Sequence, residues 1–149
     1  MIKLTEEREK ELEALCRQFR IDIISILHEL QTGHAGGSLS ECEILVTLYM
    51  ECANISIENQ YDSGRDRIVL SKGHGAPMLY RCLCEKGFFP KEEMHTLRQP
   101  GSRLQGHPCS AKTPGVVHRT FRHWAVGISR NGLRQPAYGE RCLCIYRDG

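Results

Sequence analysis

Three histidines follow directly on a glycine: Gly33-His34, Gly73-His74-Gly75 and Gly106-His107. An imidazole can donate a hydrogen bond, accept one, and pass a proton near neutral pH. Several of them on glycine-rich turns would point at whatever ligand lands there. Each turn taken alone reads as a tight connection whose histidine caps something locally, because a lone glycine turn is a weak motif. Three such pairs, each lying between apolar segments, are harder to explain as separate accidents.

The elements that must carry these turns can be read from the apolar spacing. Ile68-Val69-Leu70 is a short apolar run, Gly73-His74-Gly75 breaks it, and Pro77 opens a helical pattern. That order predicts a β-strand feeding a helix start. In open α/β sheets such junctions lie at the carboxyl end of a strand, where ligands bind. Gly73 and Gly75 would let the backbone approach an anion, and the free N–H groups of the helix start would attract it.

Upstream, Leu12, Leu15, Cys16, Phe19, Ile23, Ile26, Leu27 and Leu30 describe one face of a helix over 5–30. Thr5 is its expected N-cap and Gly33 its terminator, which leaves His28 as a packing residue. Gly33 to Gly37 reads as a loop, and Ser40-x-x-Glu43 as a capping box for a helix burying Ile44, Leu45, Leu48 and Tyr49. The strand is expected over 67–70 and the next helix over 77–86, with Met78, Leu79 and Leu83 inward. Pro90 starts a short helix carrying Met94 and Leu97, with His95 solvated on its polar side. Residues 101–115 read as a long loop, and a loop of that length inside a compact domain is usually functional or disordered.

At 149 residues, 40% apolar and 26% charged, the chain is at most one globular domain with room for a core. No apolar run approaches the roughly 20 residues that a membrane helix requires, and the charged start is unlike a secretory signal. A cytoplasmic location is the expectation. Of eight cysteines, Cys16, Cys42 and Cys52 occupy apolar helix positions, while 82/84 and 142/144 form C-x-C pairs. Neither arrangement has the spacing of a zinc ribbon, so reduced thiols are expected. The net charge of +2 divides unevenly: residues 117–149 hold six arginines against two acidic residues. Such a basic arm could bind nucleic acid, which leaves a non-catalytic binding module as the alternative from a different class.

In their order and spacing, four segments resemble the N-terminal section of transketolase. They are Gly33-His34-Ala35-Gly36-Gly37-Ser38, Asp66 through His74, Gly101-Ser102-Arg103-Leu104-Gln105-Gly106-His107-Pro108, and Thr113-Pro114-Gly115-Val116. The likeness covers about 5–116 and is in particular to the form made as a separate N-terminal chain. It implies an α/β thiamine diphosphate-binding fold, here incomplete, with a parallel sheet flanked by helices. It implies transfer of a two-carbon ketol unit between phosphorylated sugars, with thiamine diphosphate carrying the chemistry and Mg2+ or another divalent cation bridging its diphosphate. By position His34 and His107 correspond to histidines at the sugar and the reacting carbon, and His74, with Gly73 and Gly75, to the cofactor contact. A related synthase, such as deoxyxylulose phosphate synthase, is the neighbouring alternative, against which the 101–108 segment speaks. The family's site lies between two domains. A complementary C-terminal chain and a homodimer or heterotetramer are therefore implied, with no nucleic acid and no membrane as partners.

Beyond Val116 the likeness changes character, so that 1–116 reads as part of the binding domain and 117–149 as a divergent tail. Where the family has a glycine-rich segment, the chain reads Val117-His118-Arg119-Thr120-Phe121-Arg122-His123-Trp124. Synonymous codons exist for 118–132 that, read one base later, give Thr-Gly-His-Ser-Gly-Ile-Gly-Leu-Ser-Val-Ser-Pro-Gly-Met-Gly, the segment the family has here. Asp148-Gly149 then matches the end of the family's Gly-Asp-Gly, which implies a metal-ligand role for Asp148 and a cofactor contact at Gly149. These observations predict that 117–147 is a frameshifted translation, and that the chain by itself is inactive for want of the family's downstream asparagine and activating glutamate.

Overall fold

Thr5 accepts a hydrogen bond from the Arg8 amide at 3.3 Å and so opens the long helix α1 (Glu6–Glu29), with Glu6, Glu7 and Glu9 at the positive end of its dipole. The computed structural model describes residues 4–62, 64–70, 72–109, 112–114 and 143–147. Leu12, Cys16, Phe19, Ile23, Ile26 and Leu27 are buried along one face of α1, as the three- and four-residue spacing predicts. The chain leaves the helix slightly earlier than its glycine suggests. Leu30 is the C-cap, Gln31 takes a φ of 48°, and Gly33 follows at 89°.

A short helix, α2 (Ala35–Leu39), stands where a loop was expected. Helix α3 (Cys42–Thr47) follows and continues as a π turn over Leu48–Cys52. The expected capping box does not form. Glu41, not Ser40, is the N-cap of α3 and makes no side-chain cap bond, Ser40 Oγ donates to Gly37 O at 3.1 Å, and Glu43 pairs with Arg20. Leu45, Leu48 and Tyr49 are buried as expected, but Ile44 is 57% exposed, because Cys42, Leu45 and Val46 take the inward arc.

Strand β1 (Asp66–Leu70) leads into a 3₁₀ turn at Gly73–Gly75 and then α4 (Ala76–Glu85), with Pro77 in its first turn. Every residue of α4 from Ala76 to Leu83 is buried. A helix apolar on all sides belongs in the middle of a core, and α4 packs against α1, α2, α3 and the 3₁₀ segment Lys91–Thr96. The expected inward set Met78, Leu79 and Leu83 was therefore too small. Phe88, Phe89, Met94, Leu97 and Leu104 complete the core.

One strand, β2 (Leu143–Arg147), pairs with β1, and the pairing is antiparallel, with Asp66 opposite Arg147 and Leu70 opposite Leu143. Among the described residues this pair is the whole sheet, so the expected parallel sheet does not appear there. A parallel neighbour needs a crossover of a dozen or more residues, and 115–142 lie outside the described residues. Apart from β2, the same holds for the tail from 117, including Asp148 and Gly149.

Three smaller expectations change. His28 is exposed rather than packed, because it ends α1 beyond the buried seam. His95 is not simply solvated, its Nδ1 lying 2.8 Å from Glu29 Oε2. Cys52 is exposed, whereas Cys16, Cys42 and Cys82 are buried thiols. Cys42 Sγ donates to Cys16 O at 3.5 Å, and burial pushes its thiol up to about 12, so it stays protonated. Among the described residues, no group of three His, Cys, Asp or Glu is placed to hold a metal ion, and no helix is long and apolar enough to cross a membrane.

Helix α4 carries one charge into the core. Arg81 Nε donates to Asp22 Oδ2 at 2.8 Å, Nη1 donates to Glu85 Oε2 at 2.8 Å, and the guanidinium lies 4.0 Å over the Phe19 ring. Asp22 also accepts from Gln18 at 2.9 Å and Lys91 at 3.1 Å. Burial alone would raise its carboxyl, but the bonds from Arg81, Lys91 and Gln18 outweigh that and lower it. Asp22→Ala leaves the guanidinium buried beside an empty site and should cost about 3–5 kcal/mol in urea denaturation. In the parent chain this stabilisation is present above the ordinary carboxylate range and is lost as pH falls below it, so the variant should have the flatter acid limb.

Candidate functional site

The turn after β1 is built on two close approaches that a side chain would prevent. A Cβ on Gly73 would fall 2.4 Å from His107 Cδ2 and 2.8 Å from its Nε2. A Cβ on Gly75 would fall 1.5 Å from Glu41 Oε1. The first lets the 101–109 loop lay His107 against the turn, and the second lets the start of α3 reach under it. His74, between the two glycines, is exposed.

Helix α2 sits directly on this turn and on α4. A Cβ on Gly37 would be 3.0 Å from His74 O and 3.1 Å from His74 Cβ, so the packing is already tight. Lys72 staples the two parts together: its Nζ donates to Gly37 O at 2.8 Å and to Ser40 Oγ at 2.6 Å. His34, the N-cap of α2 in extended backbone, is thereby held beside His74 with its side chain exposed.

The third loop is held from below. Tyr80 on α4 donates its hydroxyl to Gln105 O at 2.7 Å, Thr113 Oγ1 donates to Arg103 O at 2.7 Å, and the Arg98 amide donates to Leu104 O at 2.8 Å. Leu104 is fully buried, and Arg103 pairs with Glu93. Burial pushes the Tyr80 phenol up, so it remains a donor to the loop.

The three imidazoles expected from sequence are brought together. The ring centroids of His34 and His74 are 6.2 Å apart and tilted by 38°, and those of His74 and His107 are 6.1 Å apart at 68°. Three neighbouring exposed rings from three separate loops form a polar face of hydrogen-bond donors and acceptors, suited to hydroxyl and phosphate oxygens. Gly75 is buried, its N–H goes to Lys72 O at 2.9 Å, and the Glu41 carboxyl stands where a side chain at position 75 would be.

Sequence reasoning missed Lys72, Tyr80 and Glu41. Tyr80 carried only a helical apolar signal, and Glu41 was passed over because Glu43 satisfied a capping pattern. The Lys72 staple spans 35 residues, a separation over which no local pattern operates.

The chain matches the family model "Transketolase, thiamine diphosphate binding domain" over residues 9–130. It is 48% identical over 88 residues to one of the subunits of 6-deoxy-6-sulfo-D-fructose transketolase from Clostridium sp. (strain MSTE9), an alignment covering 59% of this chain and 32% of that protein. It is 37% identical over 115 residues to one of the subunits of apulose-4-phosphate transketolase from Actinobacillus succinogenes, covering 77% of this chain and 41% of that one. With transketolase from Mus musculus the identity is 33% over 144 residues, covering 97% and 21%. The chain therefore spans less than half the length of the curated relatives it matches.

The Gly73 contact gives a direct check on the cluster. Gly73→Ala should push His107 off the turn and abolish the nuclear Overhauser contact between the rings of His74 and His107. The His34–His74 contact should survive, at a stability cost of about 1 kcal/mol.

Proposed function

The chain belongs to the transketolase family through its thiamine diphosphate-binding domain, and on that footing we propose that it supplies the histidine-bearing side of a site for two-carbon ketol transfer between sugars. The observation that carries this reading is the convergence of His34, His74 and His107 at centroid spacings of 6.2 and 6.1 Å. In this reading His74 contacts the cofactor, with Gly73 leaving room for His107 and Gly75 for the packing of the turn. His34 and His107 hold the sugar hydroxyls and pass protons at the oxygens beside the reacting carbon. Bound thiamine diphosphate would supply the stabilised carbanion that the protein side chains cannot.

The exposed imidazoles fit a polar ligand of this kind, since each can present an N–H to an oxygen without breaking a packed contact. The divalent cation of this reading is Mg2+, with Asp148 as its ligand and Gly149 beside the cofactor. A hard cation takes oxygen donors of that sort. A carboxylate matching the end of the family's Gly-Asp-Gly supports the assignment.

Phosphorylated sugars are the proposed substrates. One relative is named for a sulfonated sugar and another for a phosphorylated one, which supports a sugar with an anionic end. Both of those relatives are named as subunits. That supports a complementary chain. In this reading the working enzyme is a homodimer or heterotetramer and its location is cytoplasmic. In this reading the complementary chain supplies further cofactor contacts; this chain covers 32% and 41% of those relatives.

Isothermal titration with thiamine diphosphate and Mg2+ tests the assembly. This chain alone should show no binding, and binding should appear once the complementary chain is added. Micromolar affinity for the isolated chain would overturn that part of the reading. In the assembled enzyme, His107→Asn should lower kcat/KM by about 10²-fold or more, the usual scale of a lost proton-transfer group.

For 117–147 we retain a frameshifted reading. It is supported by the arginine excess and by codons that permit the glycine segment one base later. The family match of the sequence as given runs on to residue 130, which favours the in-frame reading over 117–130. Independent resequencing of the gene should reveal the two compensating frame changes, and an unbroken frame would defeat the idea.

A further inference from the structure

Glu41 is a buried carboxyl that the packing does not explain. The residue is 8% exposed, and among the described residues its Oε1 has no hydrogen-bond partner. That oxygen occupies the space a side chain at position 75 would take, 1.5 Å from the site of the absent Cβ. Its Oε2 lies 3.9 Å from Lys72 Nζ, too far for a hydrogen bond but near enough for attraction. Lys72 is meanwhile committed to Gly37 O and Ser40 Oγ, the two bonds that hold α2 on the His74 turn.

We propose that Glu41 is a positioning residue whose protonation state sets how firmly α2, and with it His34, is held against His74. Neutral, the carboxyl stays folded above Gly75 and leaves Lys72 to its two partners. On releasing its proton to solvent it becomes an unpaired buried anion, and Lys72 is the cation within reach. Drawing Lys72 towards Oε2 takes it from Gly37 O and Ser40 Oγ, and the staple loosens. The proposal goes beyond the ketol-transfer reading and does not rest on it, since it concerns only the packing of α2, α3 and the turn.

Among the described residues, few titratable groups face Glu41. Lys72 approaches from the end of β1 and Cys82 from α4, while His74 is next to Gly75 within the turn. Burial holds the Cys82 thiol well above its ordinary range, so it stays neutral. Burial also pushes the Glu41 carboxyl up to about 7, against the pull of Lys72. The folded chain therefore keeps a proton that the unfolded chain gives up near 4.5. The corresponding stability is complete below that pH and is lost as pH rises towards 7.

The test is a pH titration of the full chain, labelled with ¹³C and ¹⁵N, reading Glu41 Cδ, the Gly37 and Gly75 amides, and the imidazole Cε1–H signals. Glu41 Cδ should titrate near 7, with the two glycine amides sharing its midpoint. In Glu41→Gln the shared inflection should vanish, and the urea midpoint should no longer fall between pH 4.5 and 7. Gly75→Ala, which expels the carboxyl from its place, should return the Glu41 midpoint towards 4.5. A parent-chain midpoint near 4.5, or a glycine inflection that persists in Glu41→Gln, would overturn the proposal. Should Glu41→Gln not fold, the parent chain decides: coincident Glu41 and glycine midpoints support the proposal, and separate ones sink it. Cofactor is absent throughout, so either result leaves the ketol-transfer reading to its own calorimetric test.

Discussion

The burial of α4 is the constraint on which the other features depend. With Ala76 through Leu83 enclosed, the helix has no free face, and whatever precedes or surrounds it must conform to its position. The Gly73–Gly75 turn is its entrance, α2 is laid across that entrance, and the 101–109 loop is tied to its side through Tyr80. Apolar burial at about 25 cal/mol per Å² is non-directional and cannot by itself orient a helix. The directional part comes from Arg81, which reaches Asp22 on α1 and Glu85 on its own helix with Phe19 beneath. Replacing such a buried charge network with apolar residues can leave stability unchanged, but removing one partner alone is costly.

On this base the site is assembled from contacts too close to permit side chains. Gly37, Gly73 and Gly75 are each pressed against a neighbour: His74, His107 and Glu41 respectively. Small residues at these points bring three loops within one pocket's width, and the Lys72 staple keeps two of them in register. Interiors are close-packed and tolerate little slack, so histidines mounted in this way are positioned by the core rather than by their own loops. Two polar atoms in that packing, Ser38 Oγ and Glu41 Oε1, are left unpaired among the described residues.

The order of the chemistry-bearing residues, the helix over 6–29 with its Thr5 cap, the strand before His74 and the helix after it were all legible in the sequence. These features rest on local period and local capping. The family itself was legible from four short segments in their order and spacing. Less of the sheet could be read. The apolar run over 68–70 announced a strand, but a strand does not encode the direction of its partner, and the pairing with Leu143–Arg147 is antiparallel.

From its own residues the chain determined where α1, α4 and the turn before α4 would fall and that three imidazoles were available, since propensity, capping and glycine placement act over a few positions. Only the tertiary structure decided that those imidazoles would meet, that Ser40 would serve Lys72 instead of capping α3, and that Glu41 rather than a ligand would occupy the space beside Gly75. These outcomes depend on contacts between residues more than thirty positions apart. Such contacts are settled by how the enclosed α4 fits among α1, α2 and α3, a matter of shape and volume that no local pattern records.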